Sequence, residues 1–319
     1  MGGPKTGNRG SFYAKFLQQL IAIFAAPAKA SLEFPTSYRI SDKRLGLANN
    51  GAILMASSTD ADRAIRDLRD VVVRSTIWSS LARADIRSKY RLSTFGSLWI
   101  TFTTGAMALA IGLFYGQFFG QDMHNYLPYF TANIITWTFI SSVLGEASLT
   151  LVGSGNLIKS SQMPIVFHIM RMLQRNLIIV LHNAVVLAAV WPFVRWSLYP
   201  SAMLSLVGMT LLYLFLIGMA AVISIICVRY RDIPQLIQVL IQFLFFLTPI
   251  IWYPEQIKSG REFLKLNPFS YMLMIVRDPI LGRPVEVQTW LIATVLAGIS
   301  LTVGALMYVR FRRRIAYWV

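Results

Sequence analysis

Five intervals of the chain carry no charged residue over lengths that approach or exceed a bilayer crossing. Residues 98–119 fall between Arg91 and Asp122, 127–145 between Asp122 and Glu146, and 198–228 between Arg195 and Arg229. Residues 236–252 lie between Asp232 and Glu255, and 287–309 between Glu286 and Arg310. About 20 apolar residues cross the ~30 Å hydrocarbon core as a helix, so each interval is read as a membrane span. A sixth, 177–194, is long enough, but the stretch feeding it from Pro164 contains His168, Arg171 and Arg175. That stretch reads as an amphipathic entry turn at the interface. The pattern predicts an all-α membrane protein with six transmembrane helices.

Between the last two spans, residues 253–286 are too many for a turn. They are also too broken by Pro254, Gly260, Pro268, Pro279, Gly282 and Pro284 for a crossing. Two apolar patches, 263–266 and 269–276, predict two short interfacial or re-entrant helices joined at Asn267-Pro268. A loop lying on the surface is the other reading.

Composition agrees with the pattern. Hydrophobic residues make up 55% and charged residues 14%, against about a quarter charged in soluble domains, and the mean hydropathy is +0.56. Nucleic-acid-binding and cytosolic-enzyme readings are set aside on that ground. The net charge of +16 is read as a topology signal, because Lys and Arg stay on the cytoplasmic side. Six spans put both termini on one side. With the termini inside, the inner segments hold 24 basic residues and the outer loops six. At up to about 1 kcal/mol for each near-surface basic residue, that asymmetry places both termini in the cytoplasm. The single cysteine, Cys227, excludes an intramolecular disulfide, and His124, His168 and His182 are too scattered for a metal motif.

Residues 1–73 read as a cytoplasmic arm and 74–319 as the membrane domain. Lys5, Arg9 and Lys15 before the apolar run 16–26 give the arm some likeness to a signal peptide. Its removal would put the basic stretch 36–96 outside, against the charge count, and two glutamines interrupt the run. Residues 36–72 read as a linker with a short helix around 60–72.

The motifs are modest. Gly153-Ser-Gly-Asn-Leu-Ile-Lys159-Ser160 fails as a phosphate loop, since Ile158 stands where glycine must precede the lysine. Without another such loop, a zinc motif or a nucleophile elbow, the chain shows no machinery for hydrolysis. Arg229-Tyr-Arg-Asp-Ile-Pro-Gln235 is a compact charged turn that either anchors two helix ends, with Pro234 in a first helical turn, or forms a docking knuckle. Residues 83–91, with Trp78 and Leu81 before them, read as a basic helix along the inner surface. Glu146 belongs near the inner end of the second span, as a snorkelling or capping carboxylate or in transport. Aromatics gather toward the outer ends of several spans, as interfacial belts do. A membrane-embedded glycosyl- or acyltransferase would need outer acid–base groups, for which Asp122 and His124 are the close pair.

In order and spacing, these segments resemble the ABC-2 type permeases that export polysaccharides, among them O-antigen, capsule and teichoic-acid transporters. The resemblance covers 74–319. It rests on Asp85-Ile-Arg-Ser-Lys-Tyr90 with Gly96-Ser-Leu-Trp99, Asn156-Leu-Ile-Lys159 with Pro164, and Arg231-Asp232-Ile233. It continues through Thr248-Pro-Ile-Ile-Trp252, Asn267-Pro268 and Arg277 to Leu281-Gly282. Ser97 replaces a usual proline and Met163 a common aromatic, and the arm 1–73 matches nothing. The resemblance implies a homodimer in the bacterial inner membrane, served by two separately encoded ATPase subunits that bind the ATP, with no cofactor held by this chain. Arg83, Asp85, Arg87, Asn156, Lys159, Arg229, Arg231 and Asp232 would then receive the ATPase. Tyr129, Trp137, Phe243, Phe246, Trp252 and Tyr253 would line the path of a lipid-linked polysaccharide. An exporter of drugs or simple lipids is the nearest alternative.

The orientation is open to labelling. Gln121→Cys and Ser259→Cys are expected to react with impermeant maleimide from outside, Ser57→Cys and native Cys227 only from the cytoplasm; Gln121→Cys reacting only from the cytoplasm would reverse the topology.

Overall fold

A computed structural model describes residues 60–319 except 92, 97, 119, 121, 161–162, 191–199 and 257–260. All regular structure among them is helical. In chain order the helices are α1 (Asp60–Val73), α2 (Ser75–Lys89), α3 (Leu98–Phe118), α4 (Met123–Gly153), α5 (Gly155–Ser160) and α6 (Ile165–Val190). There follow α7 (Leu204–Arg229), α8 (Ile233–Leu247), α9 (Arg261–Leu266), α10 (Pro268–Ile280) and α11 (Val287–Trp318).

Five stretches are long and apolar enough to cross a membrane: Leu98–Tyr115, Met123–Gly153, Ile165–Ala189, Ser201–Arg229 and Val287–Ile315. One of the six expected spans, 236–252, is instead the 15-residue helix α8 followed by a non-helical run. At 1.5 Å per residue α8 covers about 22 Å, short of the hydrocarbon core. It ends there because Pro249 has no N–H to continue the ladder and disfavours the helical region at Thr248, which is extended at φ −93°, ψ 139°. A second correction concerns α6. The stretch expected as an entry turn is continuous with the span, so His168, Arg171 and Arg175 belong to one helix; the expected end near 194 lies outside the described residues. The short helix expected around 60–72 is α1, and the two short helices expected around Asn267-Pro268 are α9 and α10.

α4 is the central strut. Its 31 residues make about 46 Å of helix, enough to carry polar groups at both ends beyond the hydrocarbon core. Asp122 caps its start, accepting from the His124 N–H at 3.2 Å and the Asn125 side chain at 3.0 Å.

The packing of α7 on α11 shows how a membrane helix sorts its faces. Along α11, Val287, Leu291, Val295, Ile299, Val303 and Leu306 are exposed, while Ala293, Ala297, Ser300 and Tyr308 are buried. Large apolar residues face lipid and small ones face the neighbour, since lipid gives apolar side chains no reason to turn inward. At Gly218 an added Cβ would lie 2.2 Å from Ser300 C, and at Gly304 2.9 Å from Gly218 O. The Ser300 hydroxyl donates to Phe215 O at 2.8 Å. At one end of α11, Tyr308 OH donates to buried Asp67 of α1 at 2.5 Å, and Arg312 forks onto the same carboxylate. Trp78 Nε1 donates to Val71 O at 2.9 Å, closing the corner between α1 and α2. Cys227 is fully buried, so the native thiol expected to label from the cytoplasm is shielded and only introduced cysteines report topology.

Gly218→Leu is expected to force α7 from α11 at a cost of about 1–3 kcal/mol and lower the monodisperse fraction on size-exclusion chromatography in detergent. Gly153→Ala, whose Cβ meets nothing within 4 Å, should leave it unchanged.

Candidate functional site: the two polar ends of α4

Polar chemistry gathers at the two ends of α4. At its C-terminal end, α2 and α6 meet Glu146. Arg171 donates to both oxygens of Asp85, Nε to Oδ2 at 2.8 Å and Nη2 to Oδ1 at 2.5 Å. One helical turn on, Arg175 bridges Asp85 at 3.2 Å and Glu146 at 2.6 Å, and Glu146 also accepts from Asn176 Nδ2 at 2.7 Å. Two guanidiniums and two carboxylates from three helices thus form a formally neutral chain. Their side chains keep 20–38% of their exposure, so water screens each pair and the energy per pair is small. The bidentate geometry supplies position instead, holding α2 on α6. Glu146, read from sequence as a capping or snorkelling carboxylate, is a bridge between helices.

Beside this chain of charges lies a cleft of about 390 Å³ reaching Gly153, Ser154 and Leu157. α5 follows with Asn156 and Lys159 exposed. A Cβ on Gly155 would stand 2.9 Å from Val319 Cγ1, so α5 abuts the last residue of the sequence. Arg231 donates to Trp318 O at 3.1 Å, and the Arg229 guanidinium lies 5.5 Å from the Trp318 ring centre. α2, α5 and the 229–232 turn therefore share one end of the bundle. Arg83 and Arg87 are exposed there, whereas Asp85 is occupied by Arg171 and Arg175.

At the other end of α4, the non-helical run after α8 is held by side chains. Tyr126 OH donates to Ile251 O at 2.7 Å, and Asn133 Nδ2 to Ile250 O at 3.1 Å. Tyr129 OH lies 3.1 Å from Pro249 O and 2.9 Å from Trp252 O. Tyr126, Tyr129 and Asn133 are spaced three and four apart, one face of a helix. Of these four consecutive carbonyls, Ile250 and Ile251 each have their own donor, and Pro249 and Trp252 share the single Tyr129 hydroxyl proton.

Asn267 locks the next element: Oδ1 caps α10 at Phe269 N, 3.0 Å, while Nδ2 donates to Thr248 Oγ1 at 2.9 Å. α10 is buried from Phe269 almost to its end, packed inside the protein. Near its C-terminus Arg277, 2% exposed, pairs with Asp278 at 2.5 Å and donates to Tyr129 OH at 3.2 Å. Its guanidinium stands 4.7 Å from the Tyr129 ring centre. Burial alone would lower the Arg277 pKa; Tyr129 and Asp278 reverse that and leave it above its ordinary value. The charge is therefore permanent.

A family model described as ABC-2 type transporter, ABC2_membrane, matches residues 76–281, well over half of the chain. The chain belongs to the ABC-2 type transporter family. No curated protein matches it. The permease is accordingly the membrane component of an ABC transporter, in which hydrolysis belongs to an ATPase partner. Within the matched region lie both polar ends of α4 and the α9–α10 segment.

For the aromatics named from sequence, the permease gives different settings. Tyr129 is buried in the carbonyl clamp, and Trp137 is buried with its ring 6.0 Å from Phe245 and 6.3 Å from Phe269. Phe243 and Phe246 are about 70% exposed, 69% and 72%, on α8. Trp252 and Tyr253 are half-buried, Tyr253 with its ring 4.2 Å from Tyr129. Sequence reading passed over Asn133 and Asn176. A carboxamide inside an otherwise apolar span was the available signal, since polar groups persist there only with partners.

Arg277→Met leaves Asp278 buried without its counter-charge, an expected loss of about 3–5 kcal/mol. Adding Asp278→Leu should recover much of it, and a double-mutant cycle on thermal unfolding in detergent checks the recovery. Equal loss in single and double variants would remove the pairing as the cause.

Proposed function

We propose that the permease exports a lipid-linked polysaccharide across the bacterial inner membrane as a homodimer coupled to two ATPase subunits, with both termini in the cytoplasm. The observation that supports this reading is the buried helix α10, preceded by the short α9, beside an unwound, aromatic-lined run. A polymer needs an exit that opens progressively along its length, and a short helix hinged at Asn267 next to non-helical backbone suits that better than a closed pocket. Pyranose C–H faces also lie well against aromatic rings. The ATPase is proposed to dock where α2, α5 and the Arg229–Asp232 turn converge, with exposed Arg83, Arg87, Asn156, Lys159 and Arg231 as contacts and Asp85 positioning α2 through Arg171. In this arrangement 233–253 completes a sixth crossing, α8 as helix and the rest as clamped extended chain.

Export of drugs or simple lipids is the competing reading. Depleting the permease in cells is expected to abolish surface polysaccharide and accumulate the lipid-linked polymer inside; unchanged surface polymer with new drug sensitivity would favour the competitor. Arg231→Ala/Asp232→Ala is expected to reduce ATPase co-purification only about two- to fivefold, because exposed charges contribute ~0–1 kcal/mol each, and wild-type recovery would place the dock elsewhere.

A further inference from the structure

A cleft of about 340 Å³ opens between α9–α10, Pro254-Glu255 and the start of α11. It is separate from the carbonyl clamp except at Pro249, and none of the functional residues named above accounts for it. Among the described residues, two carboxylates, Glu255 and Glu286, and one ammonium, Lys265, stand on its walls. Ser270, 3% exposed, lines it with a hydroxyl that has no hydrogen-bond partner in the chain. An orphaned buried hydroxyl is costly unless something meets it. The remaining surface is apolar and rigid: Pro254, Met274 and Ile292, with the Tyr271 ring held by its hydroxyl on Lys265 O at 3.1 Å.

These features narrow the ligand. Carboxylates, a free hydroxyl and the Gln288 carboxamide match a molecule rich in neutral O–H donors and acceptors. Pro254 and Tyr271 match its flat C–H faces. The volume sits at the low end for small-ligand pockets, room for one or two sugar rings and not for an acyl chain. We infer that this cleft is a binding site for a neutral mono- or disaccharide unit on the outer face of the permease. The inference rests on the orientation proposed above and deepens that reading by giving the emerging glycan a landing place beside α10.

Saturation-transfer NMR on the permease–ATPase complex in nanodiscs tests it, with maltose, cellobiose, lactose and diacetylchitobiose as probes. At least one disaccharide is expected to receive saturation. Glu286→Gln, a rim change at an exposed helix start with no side-chain cap, should weaken binding about tenfold, the loss of one charge-assisted hydrogen bond. Ser270→Leu should abolish the signal by filling the cleft. No transfer to any of the four sugars would overturn the site, as would transfer that survives both variants. Radioactive calcium binding lost in both Glu255→Gln and Glu286→Gln, without a sugar signal, would overturn it in favour of a cation. Sugar binding in a complex that leaves cellular surface polymer unaffected would remove the export reading and keep the cleft; polymer export without sugar binding would do the reverse.

Discussion

Backbone N–H and C=O groups at membrane depth have no water to turn to, and irregular chain survives there only where protein supplies the partners. The run from Thr248 to Trp252 lives under that constraint. Pro249 stops α8 at 15 residues, about five short of a crossing, and the carbonyls that follow would each cost a few kcal/mol if left bare in hydrocarbon. Tyr126, Tyr129 and Asn133 meet them from a single face of α4. Everything at this end of the molecule follows from that clamp. It holds the chain that follows α8 against α4. It also explains why a permanently charged arginine is tolerated inside, because Arg277 completes the same network through Tyr129 and cancels its charge on Asp278.

The opposite end of α4 uses a different strategy. Its charges are partly hydrated, so their mutual attraction is weak, and a closed set of two arginines and two carboxylates works as a positioning device between α2, α4 and α6. One rigid helix therefore links a wet, rearrangeable ionic joint to a dry, hydrogen-bonded clamp. The α7–α11 contact, with Gly218 against Ser300 and Gly304, gives the frame against which α10 packs, and Gly208 brings α7 close to the Ile275 carbonyl of α10.

Sequence alone determined the solvent, the helical class, five of the crossings and the two short helices joined at Asn267-Pro268. Each of these depends on a local quantity: run length of apolar residues, position of charge, or the missing N–H of proline. Family membership was legible too, through short motifs in a fixed order. Only the tertiary structure decided that Arg171 and Arg175 sit inside a continuous helix, that Glu146 and Asp85 face each other through them, and that Tyr129 serves backbone carbonyls over a hundred residues away. A charge in an apolar run reads as a helix boundary until its partner is known, and that partner comes from another helix. Whether an aromatic is a belt, a wall or a clamp depends likewise on which carbonyl or ring its polar edge meets, a fact of packing that no local pattern carries.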